Sequence, residues 1–358
     1  MKTIDRYISS EFIAPFMLGI IGFILIMITD LLFTYTNLII NKGVPLLVVL
    51  KLMIFKLPAI MVLTFPVSTV FATSMILGRM SHDNEIIALR TSGVPLARIG
   101  LPILMIAVAV SFASYFTNEH LVPWTNHISE NIIRQMILKQ PIPEIKENIF
   151  FKDASNRYFY VNKVDLKRNA LEGVMIYETE GSNFPRVITA KKAVYAKTTW
   201  QLQEGVIHRY DKTGAIEYQA RFNRMEVLVD ESIINFSDQR TTYEMNSKEL
   251  GAIVQMLNKG GVNTAALTVD LLMKVSVPFT CFVFALIGIP FSLQGVRSGR
   301  TWGALFTVML IFTFYVFASI FRSLGHGGII HPVVAAWFPN ALFGGIGSVL
   351  LIKKAWLN

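Results

Sequence analysis

The stretch Phe65–Ile99, FPVSTVFATSMILGRMSHDNEIIALRTSGVPLARI, decides how the chain is built. It opens inside an apolar run, closes that run at Gly78-Arg79, and starts a new one at Ile99. The polar interval between is patterned rather than plain. Ser81 or Asp83 can cap a short helix, Glu85 falls in its first turn, and Ile86, Ile87 and Leu89 give it an apolar face. Arg90 sits near its end, Gly93 can terminate it, and Pro95 lies just beyond. A short amphipathic helix between two apolar runs has two readings. It can rest on lipid at the interface, or it can dock into a groove on a soluble partner.

Working outward, the flanking runs are long enough to be membrane spans, for which about 20 apolar residues are needed. The preceding run covers Leu46–Leu77 and contains Pro58 and Pro66, which predict kinks, and Lys51 and Lys56, which can snorkel to an interface. The following run covers Ile99–Phe116. Four more are Ala14–Tyr35, Leu267–Leu293, Trp302–Leu324 and Pro332–Ile352. With 53% hydrophobic and only 16% charged residues, the chain lies outside ordinary soluble composition. The net charge of +9 does not point to nucleic acid, because Lys and Arg scatter and form no basic run. A lone cysteine, Cys281, excludes an internal disulfide and a Cys-based metal site. Met1–Phe12 carries Asp5 and Glu11 and leads into a long apolar run, so it reads as the start of a retained first span rather than a cleavable signal.

Basic residues set the direction. Lys2 and Arg6, then Arg79, Arg90 and Arg98, then Arg297 and Arg300, then Lys353 and Lys354 occupy one alternating set of loops. The opposite short loops hold little beyond Lys42 and Arg322. The positive-inside rule therefore places both termini in the cytoplasm and Asn118–Ala266 outside. The expected organisation is residues 1–118 with three spans and the short helix at about 81–92, an outer domain at 119–266, and three spans at 267–358.

Inside the outer segment the period changes to two. NIFFK (148–152), RYFYVNKV (157–164), LEGVMIYE (171–178), RVITAKKAVYA (186–196), WQLQEGVIHRY (200–210) and AIEYQARFNRMEVLV (215–229) alternate apolar and polar residues. Such strands predict an antiparallel sandwich or jelly roll whose two sheets each bury one face. Glu119–Gln140 reads as a helix continuing the third span. Ser247–Asn258 reads as another, capped by Ser247 and ended by Gly260-Gly261.

Catalytic patterns are absent. Ser323, His326 and His331 cluster around RSLGHGGIIHP, but no G-x-S-x-G, H-E-x-x-H or P-loop occurs, and the glycines are explained by a turn. No cofactor or metal is expected. Any driven transport must draw its energy from a partner or an ion gradient. Ionisable residues at membrane depth are functional candidates because burying charge there is costly. They are Asp30, Lys51, Lys56, Asp270, Lys274 and Arg322, with Lys42 in an outer loop and Arg134 and Lys139 just outside the membrane.

These features together resemble the LptF/LptG family of lipopolysaccharide export permeases. The resemblance rests on IDRYI (4–8), the whole of Phe65–Ile99, VPWTN (122–126), NSKEL (246–250) and PFSLQGVRSGR (290–300). It implies a second permease of the same type, a cytoplasmic ABC ATPase dimer below, and periplasmic jelly-roll bridge proteins meeting the outer domain. It makes the short helix a coupling helix, with Asp83, Glu85, Ile86, Leu89 and Arg90 at the ATPase. It implies that substrate enters between the first and fifth spans. Lys42, Lys51, Lys56, Arg134, Lys139, Lys274 and Arg322 are the candidates for an anionic headgroup. Asp30-Leu31 stands where the family often has a lysine. The resulting expectation is an inner-membrane permease that extracts lipopolysaccharide or a similar glycolipid. Alternatives are a mechanotransmitting subunit, a scaffold that moves no lipid, and a hydrolase using Ser323.

Overall fold

In hydrocarbon every backbone N–H and C=O must be satisfied within the segment, so each apolar block has little choice but to form a helix. A computed structural model describes residues 3–137, 149–152, 157–165, 170–178, 186–196, 199–210, 216–228, 241–259, 263–292 and 299–356. The helices are α1 (Thr3–Lys42), α2 (Leu46–His82), α3 (Glu85–Thr91), α4 (Leu96–Phe116), α5 (Val122–Ile137), α6 (Ser247–Lys259), α7 (Ala265–Ser292), α8 (Gly299–His326) and α9 (Pro332–Trp356). A π-helical turn, Thr117–Leu121, joins α4 to α5. Six of these helices are long and apolar enough to cross a membrane. The expected helical membrane protein with an inserted β domain is what the structure contains.

The helices extend past their apolar runs. Hydropathy marks only the part that must sit in hydrocarbon, whereas the hydrogen-bond ladder continues into polar sequence. Thus α1 begins eleven residues before Ala14, and α2 runs through Pro58 and Pro66 to His82. The chain divides into two compact units, Met1–Thr125 with Ala265–Asn358, and Asn126–Thr264.

In the helical unit α7 is central, packing against α2, α4, α8 and α9. One apolar cluster joins Ile8, Phe12 and Phe16 of α1, Leu77 and Met80 of α2, Ile86 of α3, Ile99 and Ile103 of α4, and Ala285 and Ile289 of α7. A second joins Val70, Phe284, Phe314 and Phe343. Small residues bring backbones together: a side chain at Gly347 would lie 3.0 Å from the Ile287 backbone. One buried polar group links α7 and α9. Asn340 of α9 donates to the Ser276 carbonyl at 2.8 Å and accepts from Thr280 Oγ1 at 3.1 Å, and Ser276 Oγ donates to the Ala336 carbonyl.

In the second unit the described strands are β1 (Ile149–Lys152), β2 (Arg157–Asp165), β3 (Ala170–Glu178), β4 (Arg186–Ala196), β5 (Thr199–Tyr210) and β6 (Ile216–Leu228). The expectation of two sheets is corrected here: all six strands form one antiparallel sheet in chain order. The sheet nevertheless encloses a core. Phe159 of β2 packs edge-on against Trp200 of β5 at 5.6 Å, and Arg157 of β2 donates to the Leu228 carbonyl of β6 at 2.9 Å. Strands so far apart in order meet only if the sheet curls, since neighbours are about 4.8 Å apart.

The curl has a visible cause. The residues that enter the core are Phe159 and Val161 in β2, then Val164; Leu171, then Val174 and Ile176 in β3; Ile188 and Ala190, then Ala193 in β4; Trp200 and Leu202, then Ile207 in β5. In each strand the alternation shifts phase once, and the shifts align across the sheet at Asn162, Gly173, Lys191 and Glu204. Gly173 and Glu204 have φ of +65° and +50° there. Two successive residues face away from the core along this line, which folds the sheet over, as bulges do in barrels. Tyr160, Met175 and Val187 are buried on the opposite face, and burial pushes the Tyr160 phenol up to about 12.

Away from the sheet, Glu244 is fully buried. Its Oε1 accepts from Thr241 N and Oγ1, both at 2.9 Å, and Oε2 lies 3.1 Å from His127 Nδ1 of α5. The cap of α6 also needs correction. Asn246, not Ser247, holds it: Glu249 N donates to Asn246 Oδ1 at 2.8 Å and Asn246 N donates back to Glu249 Oε2 at 3.1 Å. The turn at Gly260-Gly261 lies outside the described residues.

Candidate functional site

The corner formed by α2, α3 and α4 is built by local rules. Ser81 lies inside α2 and Asp83 closes it, donating its N–H to the Arg79 carbonyl at 2.9 Å. Neither caps α3, as the sequence suggested. Asn84 occupies the N-cap position without a side-chain cap hydrogen bond: its φ of +59° is a left-handed conformation that Asn tolerates, and its carbonyl accepts from Ala88 N at 3.0 Å. Helix α3 ends in a Schellman arrangement: Gly93, at φ +83°, donates to the Arg90 carbonyl at 2.9 Å, and Val94 donates to the Leu89 carbonyl at 3.0 Å. Pro95 then starts α4. Both ends of α3 are therefore fixed by backbone geometry.

The faces of α3 divide differently from the expectation. Ile86 is 6% exposed and joins the apolar cluster of the bundle, with Leu89 packed beside it. As an outward contact Ile86 is thus corrected: its side chain serves to anchor the helix. Ile87, which is 48% exposed, is the apolar side chain that faces out. Ala88, Arg90 and Thr91 are exposed, and the half-exposed Asp83 carboxylate sits 3.2 Å from His82 Nδ1. Glu85 is partly exposed, with both carboxylate oxygens near the Tyr7 hydroxyl of α1, at 3.2 and 3.1 Å. Arg79 Nη2 donates to that hydroxyl at 3.0 Å, and Arg79 Nη1 pairs with Glu11 at 2.9 Å. Arg98 pairs with Asp5 at 2.7 Å. Tyr7, Glu11 and Asp5 were missed as site residues because 68 or more positions separate them from their partners (79 − 11 = 68). Their signal in the sequence is the run of charged residues in Met1–Phe12, which carries Asp5 and Glu11 and the IDRYI motif with Tyr7.

The headgroup candidates do not converge. Lys51 is exposed on α2 and Lys56 partly buried one to two turns on. Lys274 is 7% exposed within α7, and its carbonyl accepts from Asn118 Nδ2 of the π turn at 3.0 Å. Arg322 of α8 is bound to Asp270 of α7 at 2.9 Å, and His326 Nε2 is 3.0 Å from the same carboxylate oxygen. Asp30 is exposed on α1. Lys42 and Arg134 lie at helix ends, and Lys139 is outside the described residues. His326 is directed to Asp270 rather than to Ser323, and His331 Nδ1 accepts from Val333 N, so the serine and histidines do not form a catalytic arrangement. Among the described residues no group of His, Cys, Asp and Glu could hold a metal ion.

Residues 6–353, nearly the whole chain, match the family described as lipopolysaccharide export system permease LptF/LptG. The chain belongs to the LptF/LptG permease family. It is 20% identical over 330 residues to the lipopolysaccharide export system permease protein LptF of Escherichia coli K12, covering 87% of this chain and 84% of that one. It is 24% identical over 221 residues to an uncharacterized protein of Rickettsia prowazekii, covering 58% of each. With six apolar helices and this family, the chain is a multi-pass membrane permease rather than an enzyme of the hydrolase type.

Proposed function

We propose that this LptF/LptG member is one permease subunit of an ATP-driven exporter that extracts lipopolysaccharide, or a similar anionic glycolipid, from the inner membrane and passes it to a periplasmic bridge. ATP is hydrolysed by a separate cytoplasmic ABC ATPase dimer, and a second permease of the same type completes the membrane part. Both termini are cytoplasmic and the β unit is periplasmic, as the distribution of Lys and Arg favours. The observation that carries this reading, beyond the family, is α3. It is fixed at both ends by backbone geometry, anchored by Ile86, and presents Glu85, Ile87 and Arg90 outward. A short rigid helix of that kind fits a groove on a soluble subunit and transmits its movement as a lever. The β unit supports the bridge reading through the length of its outermost strand β6, whose far side pairs with no other described strand. Lys51, exposed on α2, and Lys56, one to two turns on, are the basic side chains we assign to phosphate groups.

The test is co-purification from detergent with the cognate cytoplasmic ATPase, comparing wild type with Glu85→Arg. Wild type retains the ATPase and the variant loses it. If wild type retains none, the energy source is missing and the chain is a scaffold for its outer partners.

A further inference from the structure

The first three turns of α1 bind every element of the corner. Asp5 holds Arg98 of α4, Glu11 holds Arg79 of α2, and Tyr7 joins Arg79 to Glu85 of α3. Ile8 and Phe12, one turn apart on α1, belong to the same apolar cluster as Ile86. We infer that Tyr7 is a positioning residue for energy coupling: its hydroxyl fixes the Glu85 carboxylate and ties the docking helix α3 to the first span, so that α1 and α3 move as one body. This rests on the proposed ATP-driven function and names the route by which movement at α3 reaches a span.

The hydrogen-bond inventory explains why Tyr7 is suited to this. A phenol has one proton to donate and can accept another. Here it accepts from Arg79 and donates to Glu85, whose two oxygens lie almost equally near. One Glu85 oxygen thus stays available to a cation on a docking partner, and docking need not break the tie. Arg79 is itself held by Glu11, one turn from Tyr7 on the same face of α1, so the hydroxyl is approached from a fixed direction. These groups are partly exposed, and ion pairs open to solvent add little to stability. Their consequence is therefore geometric. Loss of the phenol oxygen leaves the fold intact and removes the polar link between α1 and α3.

The experiment uses the full complex with its ATPase and second permease, reconstituted in vesicles containing lipopolysaccharide, and compares wild type with Tyr7→Phe. ATP hydrolysis and lipopolysaccharide extracted are measured together. In parallel, spin labels at Ser10→Cys and Ala88→Cys, in a Cys281→Ser background, report the α1–α3 distance distribution. The expected result is an unchanged melting temperature, a broadened distance distribution, and lipopolysaccharide moved per ATP lowered about tenfold, as for loss of one hydrogen bond to a charged group. An unchanged ratio with an equally narrow distribution overturns the inference. If wild type moves no lipopolysaccharide, the functional reading fails, and the distance distributions alone decide whether Tyr7 ties the two helices.

Discussion

Helices α7 and α8 are both 28 residues long and both apolar. Yet 61% of the most apolar stretch of α7 is buried within the unit, against 17% for α8. The difference lies in side-chain size and polarity. Helix α7 carries Ser276, Thr280, Cys281, Ala285, Gly288 and Ser292 at buried positions, small enough for four neighbours to approach and able to bond across to Asn340. Helix α8 carries Val308, Met309, Phe312 and Ile320 on an exposed face. In a membrane there is no hydrophobic gain from burying a leucine against a helix rather than lipid, so packing and interhelical hydrogen bonds decide which helix is central. Bulky side chains such as those of α8 are at home against acyl chains or another subunit.

That comparison can be broken at its tightest point first. Gly347→Leu forces a side chain onto the Ile287 backbone, which cannot move as a flexible side chain would. The expected cost is about 3 kcal/mol or loss of folded protein, read as a lowered melting point in detergent. A wild-type melting point would show that α9 does not press on α7 as described. Asn340→Leu removes the amide between Ser276 and Thr280 and is expected to cost about 1 kcal/mol. Combining it with Ser276→Ala and Thr280→Val should recover much of that, because no buried hydroxyl then lacks its partner. If the triple variant is as unstable as the single, the amide acts through shape rather than bonding. Phe312→Leu on the outward face of α8 should change stability by less than about 0.5 kcal/mol. A fall of several degrees would mean that this face is packed against something in the purified protein.

The sequence made the spans, the inserted strands and the short helix after the second span legible, because each leaves a periodic or compositional trace. It was less informative about caps. Asn246 caps α6 through its side chain and Asn84 starts α3 through its left-handed backbone alone, whereas the string points to Ser247 for the one and to Asp83 or Ser81 for the other. Capping depends on which residue leaves helical φ/ψ, and neighbouring polar residues are equivalent in a string. The sheet is similar. Alternation announced the strands, but the phase shift at Asn162, Gly173, Lys191 and Glu204 becomes meaningful only when register brings those residues into one row. For the site, the pattern puts Ile86, Ile87 and Leu89 on one apolar face, and only the packing separates the buried Ile86 from the exposed Ile87, because a seven-residue helix has too few turns to define its buried face from pattern alone.

By itself, then, the sequence determined that the chain enters and leaves a membrane six times, carries a β insertion and belongs among export permeases, since hydropathy, period and motif are properties of short segments. Only the tertiary structure decided that α7 is the centre, that the sheet folds over on itself, and that Tyr7, Arg79, Glu11 and Glu85 meet at one corner. Those facts depend on pairings between residues far apart in the chain, Tyr7 and Glu85 being 78 positions apart, and no local preference encodes which distant side chains will share a hydrogen bond.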